Sequence, residues 1–192
     1  MASGNHLPTA SISATDPPLS RSHPMPTPFV NNLDAPAREA MINVLNDRLA
    51  DALALSLAVK QAHWNVKGTS FIGFHEFLDE VAGRMNEHAD SLAERAVILG
   101  GYAKGTVEVT ARESDVEAYP VELIDIQQHA KELSDRFITF GGSIRDAIDI
   151  AEQSEDADTA DLFTEISRIV DKDAWFLGAH VPEMVDTAVA AE

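Results

Sequence analysis

Residues 63–101 carry polar side chains at spacings that only a helix makes useful. After a loop at 65–70 the chain reads as one helix beginning near Phe71. Thr69 or Ser70 is placed to cap its start, and Gly100-Gly101 to end it. On that helix His75 and Asp79 are neighbours on one face, and so are Asp90 and Glu94. Asp79 and Asp90 stand close to three full turns apart, so all four share roughly one stripe. Along the axis the two pairs are roughly 16 Å apart. A metal ion holds its ligands within about 2.0–2.6 Å. The two halves therefore cannot share an ion within one chain. They can if two copies of the helix pack antiparallel about a two-fold axis between Arg84 and Met85. That arrangement sets His75 and Asp79 of one copy opposite Glu94 and Asp90 of the other, and makes two equivalent sites. Isologous dimers are the commonest oligomers, so the assumption is a cheap one. Any one of these acids alone reads as a solvated helix residue. With His63 across the loop, the matched spacing points to a metal site.

The same stretch resembles a known family. His63-Trp64-Asn65, Gly68, Phe71, His75-Glu76, Asp79, Asp90-x-x-x-Glu94-Arg95-Ala96 and Leu99-Gly100-Gly101 are similar to the ferroxidase segment of Dps proteins, the ferritin-like mini-ferritins of bacteria. Lys60-Gln61-Ala62, Tyr119-Pro120, Asp158-Thr159-Ala160-Asp161 and Trp175-Phe176 extend the resemblance over roughly residues 35–185. It implies an all-α, ferritin-like four-helix bundle with one long crossover, assembling as a hollow dodecamer. It also implies a ferroxidase that oxidises Fe(II), prefers hydrogen peroxide, and stores the ferric mineral. His63, His75 and Asp79 would come from one subunit, and Asp90 and Glu94 from its two-fold mate.

Composition limits the partners. A length of 192 residues suits one domain with a sizeable core. No apolar run is long enough to span a bilayer, and no secretory signal is expected. The absence of cysteine excludes disulfides and thiolate metal sites and fits a reducing cytoplasm. The net charge of −18 repels nucleic acid and attracts cations. Some Dps proteins bind DNA through a lysine-rich tail. Residues 1–34 read as an extended tail rich in Pro, Ser and Thr, but it holds no lysine and one arginine. His6 and His23 in that tail read as solvated rather than metal-binding.

The bundle is expected over residues 35–185, with a short C-terminal tail at 186–192. The first helix runs from about Pro36 to His63, capped by Asp34. Met41, Leu45, Leu49, Ala52, Ser56, Val59 and His63 form one face. Leu53, Leu55 and Leu57 lie off it, which suggests a subunit interface in addition to a bundle core. On the second helix the core face is Phe71, Phe74, Leu78, Ala82, Met85, Ala89, Leu92 and Ala96. Trp64 reads as a packing aromatic, with electron handling as the weaker alternative, and His88 as ordinary. Residues 100–120 read as a long connection with one helical turn near 114–117. The third helix is expected at 121–152, with Ile124, Leu133, Phe137, Phe140, Ile144 and Ile148 inward and Gly141-Gly142 as a soft point. The fourth is expected at 157–178, with Leu162, Phe163, Ile166, Ile169, Val170 and Phe176 inward. Glu155, Asp156, Asp158, Asp161 and Glu165 surround its start, where acids favour the helix dipole. In the resembled family, acids of this region line three-fold pores for ferrous ion, which marks Asp158 and Asp161.

Other chemistries fit poorly. His75-Glu76-Phe77-Leu78-Asp79 ends in Asp where a zinc-protease motif needs His. None of the seven histidines follows a Glu by three positions, so the Glu-x-x-His di-iron site inside a bundle is absent. No P-loop, dinucleotide fingerprint or nucleophile elbow occurs. Two histidines with three carboxylates suit Fe(II), and the carboxylates favour the ferric product. The leading expectation is thus an iron-oxidising storage enzyme located in the cytoplasm. Its rivals are a nucleoid-coating DNA-binding protein and a purely structural helical oligomer.

Overall fold

The computed structural model describes residues 26–30 and 33–181. His6, His23 and the C-terminal segment 186–192 lie outside the described residues. Among the described residues five helices make up the fold: α1 (Ala35–Asn65), α2 (Phe71–Ile98), α3 (Val107–Glu113), α4 (Ile126–Gln153) and α5 (Ala157–Gly178). No strand occurs among the described residues beyond an isolated bridge between Lys67 and Asp125. The Asp34 carboxylate caps α1 by accepting from the Ala37 amide at 2.8 Å. All the expected core positions of α1 from Met41 to Val59 are buried, and Leu55 is buried with them. Leu57 is 59% exposed, so the described residues leave one apolar side of α1 uncovered.

The connection from α2 to α4 runs the length of the bundle. At its start the backbone of Gly101 lies against Ile42 near the beginning of α1. At its end the Lys67 amide donates to the Ile124 carbonyl at 2.7 Å, just past the end of α1. α2 and α4 therefore run parallel, as one long crossover requires. Buried polar groups of α1 anchor it stepwise. Asn46 donates to the Tyr102 carbonyl and accepts from the Lys104 amide. Asp51 accepts from the Ser114 hydroxyl and the Asp115 amide. Burial pushes the Asp51 carboxyl pKa up, against the pull of Arg48. Gln61 donates to the Val121 carbonyl. From α4, Arg136 donates to the carbonyls of Glu117 and Ala118.

The crossover departs from expectation in two places. Its helical segment is α3 at Val107–Glu113, earlier than the turn expected at 114–117. Val107, Val109 and Thr110 are β-branched and weak helix formers, but the Thr106 side chain caps the segment and Thr110 is buried against the bundle. Tertiary contact overrides propensity there. The next helix begins at Ile126 rather than 121, because Asp125 caps it and Val121 and Ile124 are held by Gln61 of α1 and by Lys67 just beyond it. Ile124 consequently lies outside the helix and is 55% exposed. Two smaller corrections concern α2. Ser70 precedes it with φ +69 and no side-chain capping bond. Phe71 is exposed, while His88 is buried. α4 continues through Gly141-Gly142 without a break. Gly100 ends α2 as expected, at φ +87, and a Cβ there would meet the Pro26 carbonyl oxygen at 2.9 Å.

A bidentate ion pair ties α2 to α5. Arg84 donates to both oxygens of Asp173, at 2.6 and 3.0 Å, and Asp173 is buried. Arg84→Ala would leave that carboxylate buried without its partner. The expected loss is about 3 kcal/mol, read from the urea midpoint at unchanged slope. A loss below about 1 kcal/mol would show the pair to be a surface-type bridge.

Candidate metal centre

The end of α1 and the first turns of α2 bring two imidazoles together. His63 Nδ1 lies 2.9 Å from the His75 carbonyl oxygen, and His75 Nδ1 lies 2.9 Å from the His63 carbonyl oxygen. A carbonyl only accepts, so both Nδ1 atoms carry the proton. Nε2 is thereby the ring nitrogen that remains for a metal, as the second-nitrogen hydrogen bond of a metal-binding imidazole requires. The rings stack with centroids 3.7 Å apart. This reciprocal clasp fixes tautomer and orientation before any metal arrives.

Asp79 stands one turn further along α2 and is exposed. Its carboxylate accepts from Lys60 Nζ at 2.6 Å. That hydrogen bond and the lysine charge hold the Asp79 carboxyl below the usual range. The same ammonium lies 5.9 Å from the centre of the exposed Trp64 ring. Periodicity could not reveal Lys60 as a partner for Asp79, although it lies on the same face of α1 as His63, three residues away. Asp90 and Glu94 stand exposed farther along α2. Among the described residues, no three metal-binding side chains gather within the one chain. Of the five expected ligands the structure clasps His63 and His75 together; on the expected ligand set the two half-sites, His63–His75–Asp79 and Asp90–Glu94, are separated by roughly 16 Å of helix.

The stripe between the half-sites is open. Gly83 and Asn86 lie on it, equidistant from the midpoint between Arg84 and Met85. A Cβ built on Gly83 meets nothing within 4 Å. The exposed large apolar residues of α2 are Phe71, Ile72, Val97 and Ile98. They obey the same midpoint, Phe71 matching Ile98 and Ile72 matching Val97. Beside the stripe, Leu53, Leu57, Asn86, Val107 and Tyr119 help line a largely apolar groove of about 670 Å³.

The start of α5 forms a separate acidic end. Asp156 is buried and caps the helix by accepting from the Thr159 amide. Arg95, next to Glu94, donates to Asp156 at 2.7 Å and to the Thr159 hydroxyl at 2.8 Å. Asp158 is exposed, 3.9 Å from Arg95. Asp161 lines a shallow recess with Glu152 and Glu155. Asp156 therefore serves the helix start, while Asp158 and Asp161 face outward.

Comparison with known proteins agrees with this fold. The family model for the Ferritin-like domain matches residues 42–185. A "DNA protection during starvation protein" of Agrobacterium fabrum (strain C58) is 42% identical, over 80% of this chain and 94% of that protein. DpsA14 from Streptomyces coelicolor superposes with a TM-score of 0.77 at 31% identity, over 81% of this chain and 92% of its own. At the level of fold alone, the Dps protein from Vibrio cholerae O1 superposes with a TM-score of 0.74 at 24% identity, over 80% and 97% of the two chains. It is described as a member of a broad superfamily of ferritin-like diiron-carboxylate proteins. Sequence and architecture together establish that the chain belongs to the Dps family of ferritin-like proteins.

Proposed function

We propose that this protein oxidises Fe(II) at sites shared between two copies and stores the ferric product inside a hollow shell. Each site would take His63, His75 and Asp79 from one copy and Asp90 and Glu94 from the other. The observation that carries the reading is the reciprocal histidine clasp, which commits both Nδ1 atoms to backbone carbonyls and leaves Nε2 of each ring for a metal. The matched placement of exposed apolar residues about the Arg84–Met85 midpoint supports the two-fold pairing. So does Gly83, which removes side-chain bulk where the paired helices cross. Mixed nitrogen and carboxylate donors suit Fe(II), and the anionic oxygens favour the ferric state. Lys60 would be the competitor that ferrous ion displaces from Asp79. Family membership carries the further expectations of hydrogen peroxide as oxidant, a dodecameric shell and a cytoplasmic location. Stopped-flow Fe(II) oxidation with and without peroxide, on particles of measured mass, tests the proposal. No iron-dependent turnover by the assembled protein would overturn it.

Asp158 and Asp161 are proposed to line a symmetric pore that concentrates ferrous ion without taking part in oxidation. Asp158→Asn with Asp161→Asn is expected to slow oxidation at low iron and to weaken its dependence on ionic strength. The rate should recover at saturating iron. Lowered melting temperature with wild-type kinetics would instead show that these acids serve only the helix start.

Direct DNA coating is the second reading, and the net charge of −18 opposes it. With divalent cations chelated by EDTA, plasmid DNA should migrate unshifted at moderate salt. Tight retention under those conditions would reverse the ranking. No helix among the described residues is long and apolar enough to cross a membrane.

A further inference from the structure

Asn86 sits on the open stripe of α2 between the two half-sites, and it is held in one orientation. The Ser56 hydroxyl, from a buried residue of α1, donates to Asn86 Oδ1 at 2.7 Å. The amide oxygen is therefore turned toward α1, and the Nδ2 donor away from it. Asn86 is exposed and lines the largely apolar groove with Leu53, Leu57, Val107 and Tyr119. Gly83, on the same stripe, is exposed within α2, and a Cβ there would meet nothing within 4 Å. Glycine inside a helix is unfavourable, and nothing among the described residues crowds this position.

We propose that Asn86 is a positioning residue that sets the register of two paired α2 helices, by donating from Nδ2 to backbone bared at Gly83 of the partner subunit. The inference rests on the shared-site reading. About the midpoint between Arg84 and Met85, position 86 of one copy meets position 83 of the other. Each pair of copies therefore has two such contacts, one on either side of the axis. A helix carbonyl keeps a second lone pair after its own helical bond, and a residue without a side chain leaves room for a facing amide to reach it.

Register is what the chemistry needs and what apolar contact does not supply. Phe71, Ile72, Val97 and Ile98 are exposed and attract their counterparts without direction. A slide of one turn, about 5.4 Å, keeps the same face of α2 toward the partner. It also carries His75 and Asp79 a full turn away from Glu94 and Asp90 of the partner subunit, farther than any metal–ligand bond can bridge. A buried amide is less tolerant. Once the partner covers the groove, Nδ2 loses water, and a donor left without an acceptor is costly. A single buried Asn fixes register in coiled coils by the same penalty. Ser56 sharpens the requirement, because it occupies Oδ1 and opposes any turning of the amide.

The chain contains no cysteine, so an introduced pair reports register directly. In the assembled, iron-free protein, Ile72→Cys with Val97→Cys places two thiols opposite each other in the proposed register. Glu76→Cys with Val97→Cys does so only after a slide of one turn. Disulfide geometry accepts only close Cα pairs, so each pair cross-links in its own register. All three positions are exposed, and none is an expected ligand. With Asn86 in place, the first pair should cross-link roughly tenfold faster than the second, the preference that one unsatisfied buried donor imposes. Asn86→Leu, which keeps the volume but not the donor, should bring the two rates within about threefold. Circular dichroism and particle mass verify that each variant is folded and assembled. An unchanged preference in Asn86→Leu would overturn the proposal and leave the shared site standing. Equal rates with Asn86 in place would overturn it too, and that comparison needs no variant at position 86. No cross-link from either pair in assembled particles would overturn the two-fold pairing itself, and the register lock with it.

Discussion

The combined variant His63→Ala, His75→Ala is expected to lower the initial rate of Fe(II) oxidation by at least about a hundredfold, at every iron concentration. Removing a group that merely orients a metal ligand already costs about 10–100-fold. Here two ligands would go together, along with the clasp that presents them. Each imidazole also donates to the other's carbonyl, so the change opens the α1–α2 junction locally. The core below it, including Val59, Ala62 and Leu78, remains buried, and the assembled particle should persist. The contrast with the pore variant is diagnostic. Loss of Asp158 and Asp161 acts through local ion concentration, which excess iron offsets. Loss of the histidines removes the place of reaction, which no excess restores. Recovery of the wild-type rate at high iron in the histidine variant would exclude His63 and His75 as ligands.

Much of the bundle was legible because its signals are local. Asp34, Asp156 and Gly100 mark helix ends by their own chemistry, and four long apolar patterns mark the helices between them. The stripe of His75, Asp79, Asp90 and Glu94 was legible for the same reason, since helical spacing alone places residues on a face. The separation of Asp79 from Asp90 also follows from helical rise. What escaped the sequence depends on contacts between distant segments. The α3 helix exists because Thr110 is buried against the bundle, which its β-branched composition does not announce. The start of α4 is delayed because Gln61 and Lys67 hold the preceding residues. His88 read as ordinary but is buried. Asp173 across the α2–α5 seam influences its ring, and desolvation pushes its pKa down. The reciprocal histidine bonds, the Lys60–Asp79 pair and the Ser56–Asn86 bond all join residues from different elements, where periodicity carries no signal.

The apolar surface of the isolated chain follows from the same account. Leu57, Ile72, Val97, Val107 and Val121 are exposed large hydrophobics on or beside the stripe and groove. A partner copy seated about the Arg84–Met85 midpoint would cover them while completing both metal sites. Pairing and chemistry are thus one claim, and a mixed assembly tests both. Asp79→Ala chains alone and Glu94→Ala chains alone should each be nearly inactive, because every site lacks a carboxylate. When the two are dissociated, mixed in equal amounts and reassembled, half of the dimers should contain one chain of each kind. In those dimers both defects fall on one site and the other is intact. Oxidation should then return to about a quarter of the wild-type rate, because an isologous pair makes two equivalent sites. Native mass spectrometry of the reassembled particles verifies the mixing. Recovery near that level is the predicted result; no recovery in particles shown to contain mixed dimers would contradict the shared site.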